Sequence, residues 1–422
     1  MQLRVAYALL WAVLALRAGA TLFPSSWLWG LDSLADRGPA LKAIGLLLFA
    51  ASAIPAVGRA LLRPLSPPPA RAATMLSAGA GIGIFLGVLI LLRSGNPLLG
   101  DAQTYLSAID KGVRSAGAAH REPLSQAVVI GFHRLVSAPL GWSSHASFVV
   151  LEAALGVGFL LLAHRLSVAL ADSPAARALA FGVIALGGGL HLFAGYPEFY
   201  GFGLTAFLLF AWLGARSLAG DSPVALAALA FVLAALCHAQ ALFAAPAIGY
   251  LLIKGWLDGR RRDALLGIVS IPAVGLLALI LLRYPFGDLA GEAAREGAFL
   301  PPLGRWTART AYGLYSPVHL ADLANALLLA APGLPVALAL AWRAKAGTDA
   351  IARRRAVFLA CLAVGPALFA LVANPQLGMA RDWDIFVLPA VAIAIWSAAT
   401  AAGGFARPSP GHRGLAGALL LT

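Results

Sequence analysis

Long apolar runs separated by short polar turns set the rhythm of this chain. Twelve of them are long enough to cross, or nearly cross, a hydrocarbon core of roughly 30 Å: 5–23, 40–62, 74–92, 146–163, 178–194, 201–217, 224–238, 240–253, 264–282, 319–342, 356–373 and 386–402. The pattern predicts an all-α polytopic membrane protein with about 11–13 transmembrane helices. The range reflects several short runs and the Cys237-His238-Ala239-Gln240 junction, which reads as two spans or one tight hairpin. Residues 1–402 read as one integral-membrane domain, beginning with an N-terminal hairpin over 5–62, and 403–422 as a cytoplasmic tail. The first run reads as a span or, from Met1-Gln2-Leu3-Arg4 and Arg17-Ala18-Gly19-Ala20, as a cleavable signal peptide.

The longest polar interruption in the first half runs from Asn96 to Trp142. Within it Ala102, Leu106, Ile109 and Val113 recur at helical spacing, which predicts an amphipathic helix lying in the membrane interface. Asp101 falls at its first turn, with Tyr105 one turn further on the same face. Pro123 is placed to start a second helix striped by Leu124, Val128, Phe132 and Leu135. The stretch 94–142 is therefore expected to be an outer loop that holds a carboxylate at the membrane surface.

Composition changes the picture only by exclusion. A mean hydropathy of +0.84, 60% hydrophobic residues and 12% charged residues rule out an ordinary soluble domain. Cys237 and Cys361 lie in separate apolar runs and read as small buried hydrophobes. With the N-terminus inside, eighteen basic residues and five acids fall on the cytoplasmic side, which accounts for the formal charge of +13 and leaves the other face close to neutral. The charge is thus a topology signal, and no nucleic-acid partner is implied.

The outer face collects the candidate chemistry: six of the eight histidines, and the acids Asp101, Asp110, Glu122, Glu152, Glu198, Asp382 and Asp384. Asp101 with Tyr105 reads as a catalytic carboxylate or as a plain helix cap, and Asp110 as a surface pair with Arg114. Tyr196 and Glu198, in Gly195-Tyr196-Pro197-Glu198-Phe199-Tyr200, read as sugar-hydroxyl ligands or as an interfacial aromatic belt. Arg381, Asp382 and Asp384 read as a substrate site that can also take a divalent metal through hard oxygens, or as an ion pair and helix N-cap. Arg295, Arg305, Arg309 and His319, in or just after the loop from Tyr284 to Pro317, suit a phosphate or an anionic lipid head group. His238 joins this outer set.

These residues carry a resemblance. Gly100-Asp101-Ala102-Gln103-Thr104-Tyr105 looks like the acidic start of the first large outer loop in the GT-C superfamily of membrane glycosyltransferases, and Arg121-Glu122-Pro123-Leu124 looks like the segment opening its next helix. The resemblance covers about residues 74–402. It implies a polyprenyl-phosphate sugar donor, a lipid, glycan or protein acceptor, inverting transfer, and Asp101 as base at the periplasmic face of a bacterial inner membrane. It implies substrate-binding roles for Tyr105, Tyr196, Glu198, His238, Arg305, Arg309, His319, Arg381, Asp382 and Asp384. The chain departs from it at Ala102, where many relatives carry a second acid, so a metal is not required at that spot; the cofactor stays undefined. The 5–62 hairpin is a second departure. Other readings are a secondary transporter, a lipid-linked glycan polymerase or ligase, and a non-catalytic scaffold. The transporter reading predicts midplane polar groups and broken helices in two matching halves.

Overall fold

The structure, a computed structural model, describes residues 2–32, 34–62, 82–83, 85–89, 91, 101–115, 120–286, 298–301, 312–342, 350–403 and 410–419. Among these residues, seven helices are long and apolar enough to cross a membrane: Leu3–Leu22, Ser144–Leu170, Tyr200–Leu218, Ala239–Leu257, Arg261–Leu281, Ala350–Val372 and Trp383–Ala402. Three shorter apolar helices, Pro39–Ser52, Pro174–Ala185 and Val224–Cys237, accompany them. The run 74–92 lies mostly outside the described residues.

Several runs break, each at an identifiable residue. The 319–342 run becomes Pro317–Ala330 and Leu334–Ala341, bent by 97°. Pro332 donates no N–H and keeps Ala331 out of the helical region, at φ −144° and ψ 77°. The Cys237-His238-Ala239-Gln240 junction breaks because His238 is extended, at φ −157° and ψ 123°, and its ring Nδ1 accepts the Gln240 N–H at 3.2 Å to start the next turn. The 40–62 run divides at Pro55.

The chain forms two compact units. One comprises Met1–Ala70, Ala163–Gly189 and Phe299–Thr422, the other Arg71–Leu162 and Leu190–Ala298.

In the first unit, His319, Asp322 and Asn325 recur every three residues along the helix Pro317–Ala330 and form a polar stripe. The loop after the first helix satisfies two of the three. The Trp29 indole donates to Asp322 Oδ1 at 2.9 Å, while Asn325 Oδ1 accepts the Gly30 N–H at 3.1 Å and its Nδ2 donates to the Trp27 carbonyl at 2.9 Å. The N-terminal hairpin is thereby built into this unit. The segment after residue 402, expected as a tail, contributes the helix Pro410–Leu419, with Leu415 and Leu419 buried. Tyr7 donates to the Gly411 carbonyl at 2.9 Å. A Cβ at Gly417 would lie 1.9 Å from the Gly58 carbonyl oxygen, so this helix and Pro55–Leu62 touch backbone to backbone.

In the second unit a charged knot closes one end of three helices. Asp263 takes the N–H groups of Val224 and Ala225 at 2.7 and 3.1 Å, capping Val224–Cys237. Arg260 donates to the Ser217 and Ser222 carbonyls and to Asp263. His238 follows the other end of that 14-residue helix, about 20 Å away at 1.5 Å per residue.

Because the Gly417 contact is backbone to backbone, Gly417→Val is expected to lower the melting temperature in detergent by several degrees. Asn325→Ala, which leaves the buried Gly30 N–H unpaired, should destabilise by about 1–3 kcal/mol. Tryptophan fluorescence during heating reads both.

Candidate active site

Asp101 immediately precedes the helix Ala102–Asp110, and its carboxylate makes no capping bond to it. The expectation of a plain cap therefore fails. Instead, the backbone N–H of Asp101 donates to Glu198 Oε1 at 2.8 Å. The carboxylate turns to two side chains: Tyr105 donates its hydroxyl to Oδ2 at 3.3 Å, and the Arg121 guanidinium stands 3.7 Å from the same oxygen. The Asp101 and Arg121 side chains are 50% and 43% exposed, so this ion pair contributes at most about 1 kcal/mol. Its significance is access, since an exposed carboxylate can meet a ligand.

The groups around it are buried. Tyr105 packs on Phe199 with ring centroids 4.9 Å apart, and Phe199 packs on Phe148 at 5.5 Å. Tyr196 and Glu198 are 2% and 5% exposed, so Tyr196 belongs to the core and not to an interfacial belt. The turn is tied down where His145 Nε2 donates to the Gly195 carbonyl at 3.1 Å, and Gly195 has φ +70°. Burial pushes the Tyr105 phenol far above its ordinary range, with Glu122 and Glu198 adding to the shift, Arg121 opposing it and Asp101 adding a smaller push. The phenol is thus a fixed proton donor.

Next in the chain to Arg121, Glu122 places its Oε1 3.2 Å from His238 Nε2, and both side chains are buried. The Gln240 N–H occupies His238 Nδ1, so in the neutral ring the proton sits on Nε2. It does not point along the line to Glu122, and the contact is electrostatic rather than a formed hydrogen bond. Tyr200 stacks on the His238 ring at 4.5 Å. Pro123 starts the helix Pro123–Phe132 as expected, and Ser125 donates to the Cys237 carbonyl at 2.8 Å, which fixes Glu122 beside His238. A carboxylate and an imidazole are metal-ligand types, but among the described residues no group of three or more His, Cys, Asp or Glu is placed to hold a metal ion.

The sequence assigned roles to Asp101, Tyr105, Tyr196, Glu198 and His238, counted Glu122 and Glu152 only among the outer acids, and gave Arg121 no role. Arg121 and Glu122 were legible in Arg121-Glu122-Pro123-Leu124, where they were read only as architecture. Glu152 is wholly buried, with no hydrogen-bond partner for either oxygen among the described residues, and a Cβ on Gly201 would lie 2.1 Å from its Oε2. The expected Asp110–Arg114 pair does not form: Arg114 donates to the Leu282 carbonyl, and Asp110 faces His133 at 3.9 Å.

The remaining expected residues belong to the first unit or fall outside the described residues. Arg295, Arg305 and Arg309 are among the latter. Asp382 Oδ2 accepts the Leu377 N–H at 2.9 Å and Asp384 Oδ1 accepts the Ile385 N–H at 2.9 Å, so each carboxylate holds a local turn. Arg381 is exposed. His319 is fully buried near Tyr312, with ring centroids 5.2 Å apart.

The described residues form an all-helical, multi-pass membrane chain with a GT-C-like fold. The likeness is to ArnT from Cupriavidus metallidurans, solved bound to undecaprenyl phosphate: 15% identity, a TM-score of 0.50, and 78% of this chain matched to 60% of that one. No protein-family profile and no curated protein sequence matches the chain. The match thus spans less than two thirds of the ArnT chain.

Glu152→Gln is expected to melt within a few degrees of wild type, because the carboxylate has no bond to lose. Gly201→Ala should cost about 1–3 kcal/mol by overpacking against Glu152, and adding Glu152→Ala should recover part of that loss in the same melting assay.

Proposed function

We propose that the chain is a membrane glycosyltransferase that moves a sugar from a polyprenyl-phosphate donor to a lipid, glycan or protein acceptor, with inversion. Asp101 is the base. The observation that carries the reading is the exposed Asp101 carboxylate, which makes no capping bond to its helix and is steadied by Tyr105 and Arg121. In the reaction, Asp101 takes the proton of the acceptor hydroxyl, whose oxygen bonds to the anomeric carbon. The carbon–oxygen bond to phosphate breaks, and the lipid phosphate leaves with the electron pair. Arg121 is the nearby cation able to receive that developing charge. The undecaprenyl phosphate in the ArnT structure supports a lipid-phosphate donor for this chain.

The site faces the periplasm of a bacterial inner membrane, and the N-terminus is cytoplasmic. Support comes from the second unit, where the helices Tyr200–Leu218 and Val224–Cys237 have Tyr200 and His238 at one end and Arg216, Arg260 and Asp263 near the other. Basic residues favour the cytoplasmic side.

Supplied with a panel of undecaprenyl-phosphate sugars in nanodiscs, Asp101→Asn is expected to turn over at least about 10²-fold more slowly than wild type, with donor binding retained. Unchanged turnover would remove Asp101 from the chemistry. In a background with Cys237 and Cys361 replaced by alanine, Arg262→Cys should react with an impermeant maleimide only after the inner membrane is opened; reaction in intact spheroplasts would reverse the topology.

A further inference from the structure

Among the described residues, Arg283 is the one residue other than glycine with a left-handed backbone, at φ +49°. It closely follows the span Arg261–Leu281. There the Arg283 N–H donates to the Ile280 carbonyl and the Tyr284 N–H to the Leu279 carbonyl, both at 2.9 Å. Those two bonds define a helix end at which glycine is the usual residue, because a side chain there crowds the neighbouring carbonyl. A cation suits a helix C-terminus, but any position in the last turn offers that benefit without the crowding. The strain points to a use for the side chain itself.

Arg114 comes to the same place. Its Nη1 donates to the carbonyl of Leu282, the residue before Arg283, and the Tyr284 hydroxyl donates to the His120 carbonyl at 3.3 Å. The end of the span and the loop after Ala102–Asp110 are thus fastened together, with two guanidinium groups near each other. Partial burial lowers the Arg114 pKa, and the Arg283 charge lowers it further. Arg283 is exposed, and among the described residues neither arginine is paired with a carboxylate. Two like charges held together without a counter-ion call for an anion.

The surroundings decide its kind. Leu277, Ile280 and Leu281 are exposed on the last turns of the span, and so is Phe286 just beyond it, which sets the pair where hydrocarbon gives way to head groups. The two free oxygens of a phosphodiester match a guanidinium fork. A zwitterionic head group would bring its own ammonium to a place that already holds two cations, whereas an anionic one brings only the missing charge. We infer that Arg114 and Arg283 bind the phosphodiester of an anionic phospholipid, of the phosphatidylglycerol type, at a surface site on the second unit. The choice of the outer leaflet for this lipid rests on the topology proposed above; the site itself does not.

The test is photo-crosslinking of the full-length protein in phosphatidylcholine nanodiscs doped with a diazirine-bearing phosphatidylglycerol, followed by peptide mapping. Wild type is expected to carry label between Leu277 and Phe286, and excess unlabelled phosphatidylglycerol to remove it. Arg283→Gly, whose backbone suits the positive φ, should melt no lower than wild type yet lose label about fivefold. Arg114→Gln should lose label to a similar extent, and melting curves establish which variants are folded; either one decides if the other is not. Equal labelling of wild type and the folded variants would overturn the site, as would no label on wild type. Equal labelling by a diazirine-bearing phosphatidylcholine would overturn the choice of an anionic head group. Displacement by undecaprenyl phosphate at lower concentrations than phosphatidylglycerol would overturn the phospholipid and give the site to the carrier lipid. Both leaflets hold the probe and turnover is not read, so a reversed topology, or failure of Asp101 as base, leaves this result standing on its own.

Discussion

The hydrogen bond from the Asp101 N–H to the buried Glu198 carboxylate is the constraint on which the site depends. A helix start exposes N–H groups, and an aspartate there ordinarily spends its carboxylate on them. Here the bond comes from the far side, out of the turn between Phe193 and Tyr200, and it fixes the backbone at residue 101 without using the Asp101 side chain. The Tyr105, Phe199 and Phe148 rings then pin the loop helix to the same turn. A carboxylate is left exposed on a rigid mount, with a phenol and a guanidinium to aim it.

The same turn links the site to the helices behind it. Tyr200 begins a 19-residue span and stacks on His238, at the helix break, while Arg260 and Asp263 lock the opposite helix ends together. Asp101, Glu122, Glu198 and the aromatic rings thus gather with Arg121 at one end of the second unit, and Arg216 and Arg260 lie at the other. Such a division suits a protein that works at one membrane face and is anchored by charge at the other. The first unit spends its polar residues differently: Asp322, Asn325, Asp382 and Asp384 fasten turns and loops.

Much of this was legible along the chain. Helical spacing marked the loop helix, Pro123 marked the next one, and the apolar runs marked the uninterrupted spans, because local periodicity and proline geometry act over a few residues. Partners distant in sequence were not legible. Nothing local says that Glu198 holds residue 101, that Glu122 faces His238, or that Trp29 closes on Asp322, since these pairs are 97, 116 and 293 residues apart. The junction at His238 was marked in the sequence, though not its cause, a side chain capping the turn that follows; the breaks at Pro55 and Pro332 fell inside runs read as continuous, because hydropathy does not register a lost backbone donor. The packing of the helix Pro410–Leu419, in a segment read as a tail, was hidden for a related reason, as its closest contact is made by glycines that carry no hydropathy signal.

Glu198 is proposed to position Asp101 as the base, and the most direct measurement is a double-mutant cycle on turnover of an undecaprenyl-phosphate sugar by Glu198→Ala, Asp101→Asn and the pair together. If Glu198 acts through Asp101, each single change slows turnover and the pair is no slower than Asp101→Asn alone. Losses that multiply independently in the pair, or a Glu198→Ala protein that turns over like wild type, would contradict it.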